Sequence, residues 1–143
     1  MIDAITARLK AQVSVLEERV EGAASFANLM KSKALPTVTP AAHVIPLGLQ
    51  GGAATSASGA FTQMFAETIG VILTFRTYGR TGEKALEDIG TVIRAVIEAI
   101  CGWGPNDEIG VFQLSRGNLV NMSAGTIVYQ LDFSITDQLR ILS

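Results

Sequence analysis

The feature that most constrains the fold is a long segment without a charged side chain. Residues 34–66 contain no Asp, Glu, Lys or Arg, yet they include Pro36, Pro40 and Pro46. Proline lacks a backbone N–H and clashes with the preceding helical turn, so no helix can span this segment. The segment is therefore predicted to consist of strands and loops.

The uncharged segment leads into an unusually long strand. Residues 42–47 (AHVIPL) are typical of a strand, and Pro46 cannot donate to a ladder, so this strand should lie at an edge or end there. Residues 49–60 are small and polar, which predicts a flexible loop. The apolar alternation of the next strand runs from 61 or 62 to 78, longer than the usual ~3 to 10 residues. Its first half is expected to project beyond the sheet as an arm.

Two amphipathic helices and a hairpin complete the predicted fold. Apolar residues recur every three or four positions over 2–20 and again over 82–101, where Gly102 and Pro105 end the second helix. Residues 111–137 alternate around turn signals as a hairpin does. We therefore predict one α+β domain over 1–143, with a mainly antiparallel sheet of about four to five strands and two helices packed on one face.

Composition favours self-association and argues against nucleic acid as a partner. Lys plus Arg is 11 and Asp plus Glu is 13, for a net charge of −2. This balance offers no electrostatic footprint for a phosphate backbone. Charged residues make up 17% of the chain, against roughly 25% in ordinary domains. The surface is short of charge, which predicts apolar subunit contacts.

Catalysis, metals, cofactors and membranes are not expected. His43 and Cys101 are the only histidine and cysteine. They exclude a disulfide within the chain, and within one subunit they cannot supply a four-ligand zinc site. Far apart in sequence and without a catalytic signature, they are interpreted as packing residues rather than a nucleophile and base. The apolar run 69–75 is far shorter than the ~20 residues of a membrane helix.

Five short segments, in this order and spacing, resemble the tail terminator family of long-tailed bacteriophages. They are AHVIPL at 42–47, GVILTFR at 70–76, GWGP at 102–105, LSRGNL at 114–119 and YQLDFSI at 129–135. The Gly/Ser-rich stretch and the helix from Glu83 lie between the segments at the expected places. The resemblance covers nearly the whole chain.

The resemblance implies a structural virion protein with no enzymatic activity. Such a subunit would form a homohexameric ring on the end of the tail tube, stop tube polymerisation and present the head-tail joining surface. The implied partners are further copies of the chain, the major tail tube protein and a neck or head completion protein. The implied location is the virion tail at the head-tail junction, after assembly in the host cytoplasm, and DNA is left free to pass through the ring lumen.

The arm and the loop beside it are the expected contacts with a neighbouring subunit or the tube. A ring needs two different contact faces on each subunit, because its contacts are heterologous. The residues expected at these contacts are Gln50, Gly51, Gly52, Thr55, Ser56, Ser58, Gly59, Gln63, Phe65, Arg76, Arg116 and Asn118.

Two alternative functions remain open from the sequence. One is a head completion or neck connector subunit of the same particle, capping the portal side rather than the tube. The other is a small-ligand-binding α+β regulatory domain, in which residues 79–82 (GRTG) would hold an anion at a helix start. The GRTG turn lacks both nucleotide-binding fingerprints, so a capped strand-to-helix turn is the preferred interpretation.

Overall fold

A computed structural model describes residues 1–34, 36, 38–57, 59–77, 82–105, 110–123 and 125–142 of the chain. Within these ranges lie three α-helices: α1 Ile2–Gln12, α2 Ala23–Lys31 and α3 Gly82–Ile100. A short 3-10 helix, Ser14–Leu16, follows α1. The strands are β1 Val20–Glu21, β2 Ala41–Ala57, β3 Ala60–Arg76, β4 Gln113–Ser123 and β5 Thr126–Leu142.

The five strands form one mixed sheet in the order β1-β2-β3-β5-β4. β1 runs parallel to β2, whereas the other neighbouring pairs are antiparallel. The prediction of a mainly antiparallel sheet with two helices is therefore wrong, because the described residues contain a parallel pair and a third helix. The cause is α2, which connects β1 to β2. A helical crossover lets two adjacent strands run in the same direction, whereas a tight hairpin makes them antiparallel.

The helices also lie on both faces of the sheet rather than on one. α1 and α3 pack with Val44, Val71 and Leu131 in a single hydrophobic core, and we call this side of the sheet the core face. α2 lies on the opposite face, where the Phe26 ring is 5.4 Å from the ring of His43. α2 has no buried residue of its own, so this helix covers the opposite face only lightly.

A polar contact fastens α1 to the end of α3. Arg8 Nε donates a hydrogen bond to the carbonyl oxygen of Ala99 at 2.8 Å. The guanidinium also lies 5.0 Å from the ring centroid of Trp103, and Trp103 in turn stacks on Phe112 at 6.1 Å. A cation at a helix C-terminus meets carbonyl groups that have no partner within the helix. Arg8 therefore joins the first and third helices across the core.

The first helix is much shorter than predicted. It ends at Gln12, whereas the apolar spacing predicted a helix over 2–20. The spacing misleads because Val13, Leu16 and Val20 are all buried without sharing one helix. Val13 follows α1, Leu16 ends the 3-10 helix and Val20 begins β1. Glu17 and Glu18 have positive φ angles of 47° and 65°, and this left-handed backbone turns the chain into β1.

The predicted flexible loop at 49–60 is wrong, because most of it is strand. β2 continues to Ala57 and pairs with β3 along nearly its whole length. Small residues have low strand propensity, but pairing with a long neighbouring strand overrides that preference. The pairing register shifts between Pro46 and Gly48 and again between Gly51 and Ala54. The residues between these positions bulge out of the regular ladder.

Three other predicted elements are close to the observed ones. The long strand is β3, which ends at Arg76, and Tyr78 lies outside the described residues. α3 matches the predicted 82–101 within one residue at its C-terminal end. The C-terminal hairpin is longer than 111–137, because β5 continues to Leu142 alongside β3. The pairing of β5 with the whole of β3 is what extends the sheet beyond its helices.

Candidate functional site

The most distinctive surface is a three-stranded extension of the sheet, which we call the arm. It comprises residues 47–57 of β2, 60–68 of β3 and 136–142 of β5. No residue of the arm is buried in the part of the chain that the structure describes. At ~3.3 Å per residue, the β3 portion is roughly 30 Å long. The arm is therefore a long, ordered and uncovered surface.

The two faces of the arm differ in chemistry. Side chains alternate between faces along a strand, and directly paired residues share a face. On the core face, this pairing aligns apolar side chains that no helix covers, which we call the arm strip: Leu49, Phe61, Phe65, Leu139 and Ile141. Leu49 is 70% exposed and Ile141 is 52% exposed. Polar residues such as Thr62, Gln138 and Arg140 lie on the opposite face.

Two glycines allow β2 to follow β3 closely in the arm. A Cβ at Gly52 would lie 3.1 Å from the backbone oxygen of Met64. A Cβ at Gly51 would lie 2.8 Å from Nε2 of Gln63, and this amide donates a hydrogen bond to the carbonyl oxygen of Gly52 at 3.3 Å. The glycines of the predicted flexible loop thus shape a bulge in a strand.

The arm brings most of the predicted interface residues together. Those on the arm are Gln50, Gly51, Gly52, Thr55, Ser56, Gln63 and Phe65. Gly59 lies at the tip of the arm, in the turn between β2 and β3. Ser58 lies outside the described residues. The grouping makes one continuous candidate surface.

The three remaining predicted interface residues lie elsewhere. Arg76 is at the far end of β3, where its Nε donates to the carbonyl oxygen of Pro36 at 2.8 Å. Its position indicates that Arg76 holds the segment before β2 against the sheet. Arg116 and Asn118 are on β4, on the face opposite the core, where they pair with Asp132 and Gln130.

A second exposed apolar surface lies on β4, and sequence reasoning missed it. Leu114, Leu119 and Met122 are 42%, 49% and 62% exposed. Their register partners on β5 are Phe133, Tyr129 and Ile127, so all three lie on the core face. We call these three residues the β4 strip. No sufficient signal was present in the sequence, because the faces of β4 depend on its register with β5 and that register shifts twice along the strand.

One family model matches the chain, and it describes the phage tail terminator protein. The match runs over residues 2–142. The chain belongs to this family. The resemblance drawn from the five short segments is thereby confirmed. A comparison with curated proteins found no match.

Membership makes this tail terminator family protein a structural component of the phage tail in the virion. The family is a structural one and not a known enzyme family. The arm and the β4 strip are therefore candidate assembly surfaces.

His43 and Cys101 are not brought together. His43 is 2% exposed and lies on the face opposite the core, against Phe26. Cys101 packs against the core on the other side of the sheet. Burial lowers the pKa of His43, while the Glu21 carboxylate opposes this by raising it. The Nδ1 atom of His43 is buried without a hydrogen-bond partner in the described structure.

Most of the turn invoked by the anion-binding alternative lies outside the described residues. Of the turn 79–82, only the backbone of Gly82 is described, at the start of α3. A cavity of about 480 Å³ lies nearby, lined by Val13, Phe75, Ile89 and Val92 among others. Polar residues such as Arg76, Asp88 and Thr91 share its lining with these apolar side chains, and no observation ties the cavity to a ligand.

The described residues contain neither a candidate metal-binding cluster nor a helix suited to span a membrane. No group of three or more His, Cys, Asp or Glu side chains among them could hold a metal ion. None of the helices found in those ranges is long and apolar enough to cross a membrane.

Proposed function

We propose that this protein forms a ring on the end of the phage tail tube, stops tube polymerisation and provides the surface to which the head is joined. Its partners would be further copies of the chain, most simply five others in a homohexamer, the major tail tube protein and a neck or head completion protein. The ring would sit at the head-tail junction after assembly in the host cytoplasm. The family match supports the tail rather than the neck as the place of action.

The observation that carries the proposal is the arm. A sheet extension of roughly 30 Å with an apolar strip is exposed to water in a single copy of the chain. Large exposed apolar surfaces in soluble proteins mark interaction sites. A polymerisation stop requires a subunit that binds the last ring of the tube and offers no equivalent surface for the next. An extended arm is suited to reaching either a neighbouring subunit or the tube.

The test is to shorten the arm without disturbing the core. Gly51 and Phe65 are register partners in the β2-β3 hairpin, so residues 52–64 can be replaced by a two-residue Asn-Gly turn of the kind that closes hairpins. We expect the shortened variant and the natural chain both to unfold cooperatively on heating, because the core lies outside the arm.

The readout is the length of tubes grown from tail tube protein and imaged by electron microscopy. With the full-length chain, tubes should carry a ring at one end and stop growing. With the shortened variant, tubes should grow as they do with tube protein alone. A folded, shortened variant that caps tubes as well as the full-length chain would contradict the role given to the arm.

A further inference from the structure

We infer that the arm strip of one subunit packs against the β4 strip of a second copy of this chain. This inference rests on the proposed ring, and it names the partner of the arm. Both strips lie on the core face of the sheet, and neither is covered by α1 or α3 in the described structure. Each subunit would then use its arm on one neighbour and its β4 strip on the other.

The two strips of one chain cannot cover each other. Leu139 of the arm strip lies ten positions along β5 from Tyr129, the register partner of Leu119. At ~3.3 Å per residue, this places Leu139 and Leu119 roughly 33 Å apart along the strands. Both belong to the same face of one continuous sheet, joined by unbroken pairing of β3 and β5. Among the described residues, neither strip can therefore supply the apolar surface that would cover the other.

The two strips match in being free of charge. The only charged residue of β4 is Arg116, which pairs with Asp132 on the other face. On the core face of the arm, Glu67 pairs with Leu49 and Asp137 pairs with Phe65. The arm strip extends beyond these carboxylates to Phe61, Leu139 and Ile141, where the only polar neighbour across β3 and β5 is the uncharged Gln63. Contact through Phe61, Leu139 and Ile141 would therefore bury apolar side chains without placing the partner directly on either carboxylate, which favours apolar association.

The β4 strip is continuous across a glycine. A Cβ at Gly117 would lie 3.0 Å from Cδ2 of Leu131 and 3.3 Å from Cε1 of Tyr129. These two side chains therefore lean over the glycine and fill the gap between Leu114 and Leu119. An arm laid along β4 would meet the ring of Tyr129 between Leu114 and Leu119, since Leu131 is itself buried.

A second copy of the chain is the partner that accounts for both exposed strips. Every chain carries one arm strip and one β4 strip, so a head-to-tail contact gives each strip a partner in equal number. Such heterologous contacts close into a ring when the rotation between subunits allows it. Tube protein as the occupant of the arm would leave the β4 strip exposed.

The experiment mixes two variants that are each defective in one strip. Leu139→Glu disables the arm strip and Leu119→Glu disables the β4 strip; the side chains are 42% and 49% exposed, so the fold should tolerate both. Each variant alone should associate on the order of 100-fold more weakly than the natural chain. An equimolar mixture contains one intact strip of each kind, so it should form a 1:1 dimer and nothing larger.

Sedimentation of the full chain at up to about 1 mM provides the readout. Ile141→Glu serves as a second arm variant, since this side chain is 52% exposed. Gln138→Glu and Asn121→Glu are matched controls, because they place the same charge next to each strip but on the opposite face. The controls should associate as the natural chain does.

Several outcomes would overturn the inference while leaving the proposed function standing. These are a natural chain that stays monomeric at about 1 mM yet caps tubes, single variants that associate normally, and a mixture that contains only monomers. A mixture that behaves like the natural chain would also overturn it, because the single defects would then not lie in the contact. A natural chain that forms oligomers through these strips and does not limit tube length would refute the proposed function alone.

Discussion

The buried histidine predicts a specific loss of stability on acidification. His43 is 2% exposed, and its buried Nδ1 has no hydrogen-bond partner in the described structure. Burial lowers the pKa of His43 below its ordinary value of 6.5, and the Glu21 carboxylate only partly opposes this. As the pH falls below 6.5, the unfolded chain therefore binds a proton before the folded chain does.

The sign and size of the effect follow from that difference. Stability is at its full value above the unfolded pKa and is lost as the pH falls toward the folded pKa. The chain has one histidine. Between the folded and unfolded pKa values of His43, this residue therefore gives the unfolded state at most one more bound proton than the folded state. The free energy of unfolding should therefore fall by up to about 1.4 kcal/mol per pH unit. The loss should end once the pH is below the folded pKa.

Urea unfolding followed by the fluorescence of Trp103, the only tryptophan, measures this dependence. His43→Leu is the matched variant, since an apolar side chain there still contacts Phe26 and cannot titrate. The difference between the two proteins cancels the carboxylates, which titrate in both. A natural chain whose stability follows that of His43→Leu from about pH 7.5 to pH 5 would refute the reasoning.

Three further predictions concern the stability of the body of the fold. Arg8→Ala removes a 2.8 Å hydrogen bond and a ring contact at the end of α3. It should lower the free energy of unfolding by about 1–3 kcal/mol in urea titrations. Lys10→Ala, at an exposed position of α1, should change the free energy of unfolding little. Gly104→Ala would place a Cβ 2.8 Å from a backbone oxygen and should destabilise by about 1–3 kcal/mol. Gly90→Ala in α3, with nothing within 4 Å of the new Cβ, should stabilise by about 0.5–1 kcal/mol; thermal unfolding of the two variants side by side checks the opposite signs.

Local pattern was sufficient where an element carries its own signal over a long stretch. The helical spacing of α3 and the alternation of β3 locate both elements within two residues of their observed ends. Pro46 predicted a strand edge, and the described structure pairs β2 on one side only at that position. The arm followed from strand length alone, because β3 is longer than a compact sheet needs.

Local pattern failed where a distant partner decides the conformation. The small residues at 51–57 have no strand preference, yet β3 supplies the hydrogen bonds that make them a strand. Val13, Leu16 and Val20 keep a helical spacing because all three reach the core, although the backbone between them turns. The need for burial fixes which side chains reach the core, but different backbone conformations can place the same side chains there.

The sequence by itself thus determined the low charge, the long third strand, the third helix and the family. Each of these depends on the identity or spacing of residues close together along the chain. Only the tertiary structure decided that α2 lies on the opposite face, that β1 runs parallel, and that two exposed apolar strips share one face of the sheet. The physical reason is that a face is assigned by pairing register, and register is a relation between residues that lie far apart in sequence.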